Sequence, residues 1–348
     1  MNTPLVSIVM PVFNRPDDLR VMLDSIIANT YTNWELICVD DGSQEETKAL
    51  LHAYSERDKR ISAYDRDRMP KGAQTCRNMG LEKANGTYVM YVDSDDYLAP
   101  YCMEQRVEAL SQRPELDFMI FPSAYFVGEP AFCSDNKSSL FGYRFADDDL
   151  RLFLQRVLPF IVCTNLYRTD RLKATGVHWD ENMSGWNDSD YNIQLLLHGM
   201  TYDYAQLPPD YSYRLDINPS RITSKLFTKE RYGNLLYAIS KTFLLARKTY
   251  GRRYDKDVFR SFEFIITQAC QNGDLQYFGD KTIDTLKGLD SHLARRMQHK
   301  LCLTSWLSKV VPLRVSLKIA FFDYYWNARK NNAARSKAIL AATQTDKP

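Results

Sequence analysis

Unbroken apolar stretches alternate with amphipathic stretches through the first 125 residues, and this alternation limits the fold more than any other feature. Residues 5–13, 34–39, 60–64, 88–92 and 117–121 read as buried strands. Helices are predicted between them. Fully apolar strands joined through helices are typical of a parallel sheet with helices on both faces. We therefore predict an α/β, Rossmann-like, mostly parallel sheet.

Local signals mark where two of these helices begin. Pro16, followed by Asp17 and Asp18, supplies the residues that a helix N-terminus favours. Ser43, with Glu46 three residues later, matches the capping-box pattern for the next helix. Both helices should therefore follow their strands after short loops.

The charge of the chain is balanced overall and uneven along its length. The 348 residues carry a net charge of +2, which argues against a nucleic-acid partner. Residues 291–340 hold ten Lys and Arg against one acid, Asp323, while the remaining residues hold 35 basic and 42 acidic side chains. The C-terminal region is therefore basic and the rest of the chain acidic.

The seven cysteines include no C-x-x-C pair, a pattern that favours reduced thiols in the cytoplasm. The first residues carry no basic segment or cleavage pattern typical of a secretory signal. No apolar run approaches the length of about eighteen residues that a membrane-spanning helix needs. We expect a cytoplasmic protein.

Five acids follow two of the predicted strands: Asp40 and Asp41 after the second, and Asp93, Asp95 and Asp96 after the fourth. The carboxyl ends of parallel strands share one edge of a sheet, where ligands bind. Such an acidic crevice predicts a divalent cation, Mg²⁺ or Mn²⁺, with oxygen ligands. The alternative is structural: Asp95 or Asp96 caps the helix near residue 100, and Asp41 forms a turn.

Three segments resemble, in order and spacing, the nucleotide-sugar half of the family 2 glycosyltransferases, which have the GT-A fold: VSIVMPVFNRPDDLRVMLDSI, WELICVDDGSQEET and GAQTCRNMGLEKANGTYVMYVDSDD. The resemblance covers about the first hundred residues, with a weaker similarity near residues 180–225. It implies one GT-A catalytic domain at residues 1–225, with a nucleotide-sugar half (1–125) and an acceptor half (126–225). Residues 226–348 would form a helical extension.

The resemblance also implies roles for individual donor-site residues. Asp93-Ser94-Asp95 resembles the D-x-D motif of the family, so Asp95 would bind the metal on the donor diphosphate. Asp93 would reach the ribose or the water shell of the metal, with Ser94 between them. Asp41, the second acid of V-D-D-G-S, would accept a hydrogen bond from the base, typically uracil. The remaining donor contacts would come from Pro11, Val12, Phe13, Arg77 and Asn78.

Inverting sugar transfer needs a carboxylate that deprotonates the acceptor hydroxyl. The segment HWDENMSGWNDSDYNIQLLLHG resembles the family segment in which a Glu-Asp pair begins a helix and the Asp is the base. This alignment makes Asp188 the catalytic base and puts Asn187 where the family has Glu; Asp190 is the second choice. Asn187, Asp188 and Asp190 also suit plain helix capping. Trp179 and Trp186 read equally well as a sugar-stacking platform or as core residues.

Residues 306–330 combine bulky apolar side chains with five basic ones, Lys309, Arg314, Lys318, Arg329 and Lys330. Basic and aromatic residues on a helix suit the surface of an anionic membrane. A helical appendage packed on the catalytic domain explains the same pattern. Peripheral membrane association therefore stays open.

These inferences predict a metal-dependent inverting glycosyltransferase of cell-surface polysaccharide synthesis. The donor would be a nucleotide sugar, most simply a UDP-sugar, and the acceptor a saccharide or lipid-linked saccharide. A non-catalytic nucleotide-sugar or polysaccharide-binding module is the alternative. A nucleotidyltransferase would need a Gly-rich basic loop, which PVFNRPDD is not.

Overall fold

A computed structural model describes residues 3–128, 139–183, 185–215 and 227–344. Within these ranges the strands are β1 (Val6–Val12), β2 (Trp34–Asp40), β3 (Ile61–Asp65), β4 (Tyr88–Tyr91), β5 (Tyr97–Leu98), β6 (Phe118–Ile120), β7 (Ser123–Phe126), β8 (Asn165–Arg168), β9 (Tyr202–Tyr204) and β10 (Tyr211–Arg214).

Helices connect these strands and form most of the described chain beyond residue 227. They are α1 (Pro16–Ile27), α2 (Glu45–Arg57), α3 (Ala73–Lys83), α4 (Cys102–Ser111), α5 (Asp149–Leu154), α6 (Thr169–Ala174), α7 (Asn187–Leu197), α8 (Lys229–Tyr250), α9 (Asp255–Ala269), α10 (Leu275–Leu289), α11 (Ser291–Leu307), α12 (Leu313–Ala320) and α13 (Phe322–Gln344).

The central sheet has seven strands in the order β3-β2-β1-β4-β8-β6-β9. Strands β1 to β4 are parallel to one another, and β6 pairs in parallel with β9. Strand β8 is antiparallel to both β4 and β6. The mostly parallel sheet is therefore confirmed, but the fifth predicted strand, β6, lies beyond an antiparallel strand that the sequence did not indicate.

A second sheet has three strands in the order β5-β10-β7, and its strand β5 is the one that follows β4 in the chain. A fully buried ion pair joins α4 to the segment before β10. The Nε and Nη2 atoms of Arg106, on α4, donate to the two carboxylate oxygens of Asp210, just before β10, at 2.8 and 2.6 Å. This bidentate pair satisfies both charges away from water.

The registers of the parallel strands open a crevice at their carboxyl edge. Strand β2 pairs with β1 as far as Asp40, opposite Val12, whereas β4 stops pairing at Tyr91, opposite Val9. Pro11 has no N–H to offer a neighbour and lies in this last part of β1. The segment after Tyr91 can therefore leave the sheet, and its acids lie beside the ends of β1 and β2.

The capping box predicted for α2 is wrong. The helix begins at Glu45, with Gln44 at the N-cap position and no side-chain cap. Ser43 Oγ instead accepts a hydrogen bond from the backbone N–H of Asn14 at 2.9 Å, and its own N–H donates to Asp40. Ser43 therefore joins the ends of β1 and β2, a tertiary contact that competes with local capping.

The first helices beyond residue 227 pack on α5 and α7. Lys241, on α8, lies 2.7 Å from a carboxylate oxygen of Asp180 and 2.8 Å from one of Asp190, which is on α7. The helical extension predicted beyond residue 226 is therefore present and joined to α7. The predicted boundary near residue 225 lies outside the described residues.

Candidate active site

Asp40 and Asp96, two of the five strand-end acids, accept hydrogen bonds from backbone N–H groups. Asp40 is buried and accepts from the N–H of Ser43 at 3.0 Å. Asp96 is also buried, accepts from the Tyr211 hydroxyl, and accepts from the N–H of Arg214 at 2.9 Å. Burial raises the pKa of Asp96 well above its ordinary value, as do Asp95 and Asp93, while these hydrogen bonds oppose the rise. Asp96 therefore joins the end of β4 to β10 and does not cap a helix.

Asp41 lies at the end of β2 with its side chain mostly buried. Its Oδ1 atom accepts from Arg66 Nε at 2.7 Å and from the N–H of Gly72 at 3.0 Å. Gly72 has φ +151° and immediately precedes α3. Asp41 thus fixes the loop between β3 and α3 against the crevice.

The two outer carboxylates of the D-x-D segment each contact an arginine. Asp95 Oδ2 accepts from Arg15 Nη1 at 2.6 Å, and Asp93 Oδ1 accepts from Arg77 Nη2 at 2.5 Å. Both carboxylates remain partly exposed, Asp95 by 22% and Asp93 by 29%. The negative charge at the end of YVMYVDSDD is therefore compensated by arginines that the sequence analysis did not assign to it.

Arg77 joins the segment after β4 to the start of α7. Its side chain is 5% exposed, and its Nη1 atom lies 3.6 Å from Asp188 Oδ1. The guanidinium also stands 4.5 Å from the centre of the Trp179 ring. Desolvation alone would lower the pKa of Arg77, but the Asp93 and Asp188 carboxylates raise it above its ordinary value. Arg77 is therefore a permanent buried cation between two carboxylates.

Asp188 lies in the first turn of α7, where the helix dipole favours negative charge. The backbone reaches this turn through two positive φ angles, at Gly185 and at Trp186, the N-cap residue. Desolvation raises the pKa of Asp188 to about 6, opposed by Arg77 and aided by Asp93. A carboxylate with this pKa is mostly ionised at neutral pH and more basic than a free Asp, as a general base requires.

Asp190, the second choice for the base, is buried in a structural ion pair. Its Oδ2 atom accepts from Lys241 Nζ at 2.8 Å and from Gln194 Nε2 at 2.7 Å. Only 3% of its side chain is exposed. Asp190 therefore ties α7 to α8, and of the two acids it is Asp188 that lies beside Arg77.

The predicted base-pocket residues lie at the end of β1. Pro11 and Val12 are buried in the strand, whereas Phe13 is 46% exposed, with Lys71 Nζ at 3.7 Å from its ring centre. Ser94 is half-buried in the turn between the two outer carboxylates. Phe13 is thus the member of this set with an accessible aromatic face.

Asn78 and Trp179 form a buried clamp. The Asn78 amide accepts from the N–H of Trp179 at 2.9 Å and donates to its carbonyl at 3.0 Å. Trp179 is 2% exposed and stacks on Tyr191 with ring centres 4.2 Å apart. Trp179 is therefore a core residue and not a sugar platform, and the described contacts of Asn78 position the segment after residue 178. A direct donor role for Asn78 stays a prediction.

The ion-pair partners of the strand-end acids were not predicted. Arg15 and Arg66 follow the ends of β1 and β3 by three residues and one residue, and the acids that they pair with, Asp95 and Asp41, follow β4 and β2 by four residues and one residue. The sequence did contain a signal for these ion pairs, because both arginines follow strands that end at the same sheet edge as the acids. The pairing itself depends on loop conformation, including positive φ at both Asn14 and Arg15.

The carboxylates at this sheet edge suit a metal ion that binds together with a ligand. In the part of the chain that the structure describes, no group of three or more His, Cys, Asp or Glu side chains is placed to hold a metal alone. Mg²⁺ sites commonly use one or two carboxylates, with phosphate oxygens and water completing the shell. Asp93 and Asp95 fit that limited role. Acidity alone does not demand a cation here, because arginines already compensate it.

Residues 7–169 match the profile of the family described as glycosyl transferase family 2. An uncharacterized glycosyltransferase of Haemophilus influenzae is 37% identical over 112 residues, 32% of this chain and 44% of that protein. The provisionally named teichuronic acid biosynthesis glycosyltransferase TuaG of Bacillus subtilis is 34% identical over 110 residues, 32% of this chain and 43% of that protein. These matches span less than half of either relative.

The fold is similar to that of S. aureus TarS, solved as residues 1–349. The likeness has a TM-score of 0.60 at 15% identity and covers 93% of this chain and 91% of the TarS chain. Structures of TarS with UDP and with UDP-GlcNAc match at TM-scores of 0.60 and 0.56. At this identity the likeness shows the fold, and it extends through the C-terminal helices.

Proposed function

We propose that this chain, whose residues 7–169 belong to glycosyl transferase family 2, transfers a sugar from a nucleotide sugar to a saccharide or lipid-linked saccharide, with inversion. One observation carries the proposal. Arg77 connects Asp93, at the end of β4, to Asp188, at the start of α7. Asp93, a candidate for donor binding, and Asp188, the candidate general base, are far apart in the chain but contact the same arginine. Both therefore lie in one crevice, at the sheet edge where α/β proteins bind ligands.

The proposed donor is a UDP-sugar. TarS, which shares the fold, has been solved with UDP and with UDP-GlcNAc, and this supports the choice. The uracil ring would stack near Phe13, whose ring is accessible, beside Pro11 and Val12. Asp41 would accept a hydrogen bond from the uracil through Oδ2, since Oδ1 already accepts from Arg66 and Gly72.

We further propose that Mn²⁺ or Mg²⁺ binds with the donor, held by Asp95 with Asp93 beside it. Such an ion, when bound, neutralises charge that develops on the departing diphosphate. Arg15 then loses its carboxylate partner and becomes available to the diphosphate oxygens, to which guanidinium groups bind well. Arg15 and Asp95 would therefore move apart on donor binding.

Asp188 is the proposed general base. It would take the proton from the acceptor hydroxyl while the oxygen attacks the anomeric carbon on the face opposite the nucleotide. Arg77 pairs with the Asp188 carboxylate and also keeps Asp93 within reach of the donor. Arg77 is too deeply buried to be the first choice for a direct phosphate contact.

A role in cell-surface polysaccharide synthesis is proposed from the relatives, since TuaG is named for teichuronic acid biosynthesis. We also propose a cytoplasmic location, at the inner face of the membrane. In the described ranges no helix is long and apolar enough to cross a bilayer. Attachment would therefore be peripheral.

An exposed surface on the last helices supports this attachment. We call it the C-terminal apolar surface; its side chains, each 43–74% exposed, are those of Trp306, Val310, Val315, Ile319, Phe322 and Trp326. Val315 and Ile319 are one turn apart on α12, and Phe322 and Trp326 are one turn apart on α13, with their rings stacked. Lys309, Arg314 and Lys318 alternate in sequence with the first four of these residues, which complements an anionic lipid surface.

A sugar-transfer assay with a panel of UDP-sugars and saccharide acceptors tests the function. The wild type should release UDP only when donor and acceptor are both present. Asp188→Asn should abolish release and still bind UDP, whereas Asp190→Asn, its matched control two positions along the same helix, should lose stability and keep activity. UDP binding without turnover of any donor would favour the non-catalytic binding module.

A further inference from the structure

A cavity of about 360 Å³ lies next to the start of α7, and none of the residues described for the strand-end crevice lines it. Its walls come from the segment after α5, from α9 and from α13. Gln155 ties these three elements together. It donates to Asp257 on α9 at 2.6 Å and accepts from Asn327 on α13 at 2.7 Å. The cavity is therefore built by fixed polar contacts between the acceptor half and the C-terminal helices.

Arg156 lines this cavity with a guanidinium that has no hydrogen-bond partner among the described residues. All three of its nitrogen atoms are buried and unpaired. Desolvation lowers the pKa of Arg156 to about 10, and the field of Asp190 only partly opposes it. Its backbone also has a positive φ of 62°. Leaving a buried charged donor unpaired costs several kcal/mol in general, so a ligand group that supplies acceptors here would be bound favourably.

Two further arginines line the same cavity, Arg260 and Arg335. Arg335 donates to the carbonyl oxygen of Leu158, and desolvation lowers its pKa. Arg260 lies 3.5 Å from Asp257, a carboxylate that Arg151 also approaches to 3.5 Å. Among the described residues that line the cavity there is no Asp or Glu. Of the three guanidinium groups, only that of Arg260 has a carboxylate within 4 Å in the described part of the chain, and it shares this carboxylate, Asp257, with Arg151.

We propose that this cavity binds a phosphate group, with Arg156 as its principal ligand. A guanidinium offers several donors in one plane, and phosphate oxygens are among its best acceptors. Arg260, on α9, and Arg335, on α13, would add positive charge to the same cavity. The cavity is within the size range of small-ligand pockets, so it admits either free phosphate or a phosphate carried by a saccharide.

The bound phosphate would also act on the candidate active site. The Arg156 guanidinium packs 4.5 Å from the centre of the Trp186 ring. Trp186 is the N-cap residue of α7, two residues before Asp188. A phosphate that fixes Arg156 would therefore fix the start of the helix that presents the base. This second step rests on the proposed function, whereas phosphate binding itself does not.

Thermal-shift titrations with sodium phosphate, against sodium chloride of equal ionic strength, test the site. Phosphate should raise the Tm of the wild type, and saturating UDP with Mn²⁺ should not remove this rise. Arg156→Met should weaken the apparent affinity for phosphate by about tenfold or more. It should also raise the Tm without phosphate, because a buried unpaired charge is gone. Arg260→Gln, a second variant, should weaken the affinity less.

Arg252→Met is the matched control, since Arg252 is 78% exposed and is not one of the residues that line the cavity. The phosphate response of this variant should equal that of the wild type. A wild type without response, a response blocked by UDP, or an unchanged response in Arg156→Met would each overturn the proposal. Glucose 1-phosphate in place of phosphate identifies the source: tighter binding assigns the site to a phosphorylated saccharide, and equal binding assigns it to free phosphate. A protein that binds phosphate here but never UDP would refute the proposed function alone.

Discussion

Arg77 is the residue that connects the two sides of the candidate site. A buried arginine between two carboxylates is favourable only while both partners stay in place, because the desolvation of the guanidinium must be offset. The C-R-N segment that contains Arg77 could be identified from sequence, and so could both acids. That they meet at one guanidinium could not, since the contacts join residues 16 and 111 positions apart.

The raised pKa of Asp188 predicts how activity depends on pH. The base must be ionised, so protonation below a pKa of about 6 removes the reactive form. We expect kcat/KM to be level above pH 7 and to fall by about tenfold per pH unit below pH 6. Initial rates between pH 5 and pH 8, with donor and acceptor below saturation, measure this profile.

The control for this profile is UDP affinity over the same pH range, measured by calorimetry. It should stay nearly constant while the rate falls. A rate that stays level down to pH 5 would remove Asp188 from the role of base. A parallel loss of UDP affinity would assign the titration to the donor site instead.

At the scale of elements, helix α3 lies unusually close to β1, and this closeness places Arg77. A Cβ atom added at Gly80 would lie 2.3 Å from Val9 Cγ1. No real contact is this short, so the helix can approach the strand only because residue 80 has no side chain. Position 80 follows Arg77 by one turn of the same helix.

We therefore expect Gly80→Ala to destabilise the protein by about 1–3 kcal/mol through overpacking. Shortening the neighbour should relieve part of the strain, so Val9→Ala should cost less in the Gly80→Ala background than in the wild type. Urea unfolding of the four proteins of this cycle gives the coupling. Strictly additive effects would show that α3 does not press on β1 at this point.

Elements were predicted well where their signal is local. Strands β1 to β4 and the helices between them follow from apolar runs and helix periodicity. Strand β8 was missed because four residues that pair antiparallel between β4 and β6 carry no distinct pattern. The capping box at Ser43 failed because a contact with Asn14, 29 positions away, replaced a local one.

In the whole molecule, the C-terminal helices support α7 and leave the C-terminal apolar surface exposed. Lys241 holds Asp190 on α7, so α8 supports the helix that carries Asp188. The exposed aromatic residues of the last helices have no such function within the described chain. The basic excess beyond residue 291 was evident from sequence, but which apolar side chains stay uncovered depends on packing.

Vesicle sedimentation tests the membrane proposal. We expect binding to vesicles that contain phosphatidylglycerol, weak binding to pure phosphatidylcholine, and release as salt screens the charges. Trp326→Ser, which removes a side chain that is 59% exposed, should reduce binding. Tyr237→Ser, on α8 and 48% exposed, is the matched control. Equal binding of both variants, or no binding of the wild type, would show that this surface does not meet lipid.

The central claim is that the carboxylates after β4 bind a nucleoside diphosphate together with a metal. A thermal-shift titration with UDP, with and without Mn²⁺, tests it most directly on the wild type, Asp95→Asn and Asp65→Asn. Asp65 ends β3 with a side chain that is 80% exposed, so it controls for loss of an acid at the same edge.

The account predicts that UDP raises the Tm of the wild type and of Asp65→Asn only with Mn²⁺, and that Asp95→Asn does not respond. A hundredfold excess of UDP over its Kd should add about 2.7 kcal/mol to the free energy of unfolding. If UDP, GDP and CDP all leave the wild type unchanged in the presence of Mn²⁺, the account is contradicted. Those carboxylates would then serve only to pair with Arg15 and Arg77.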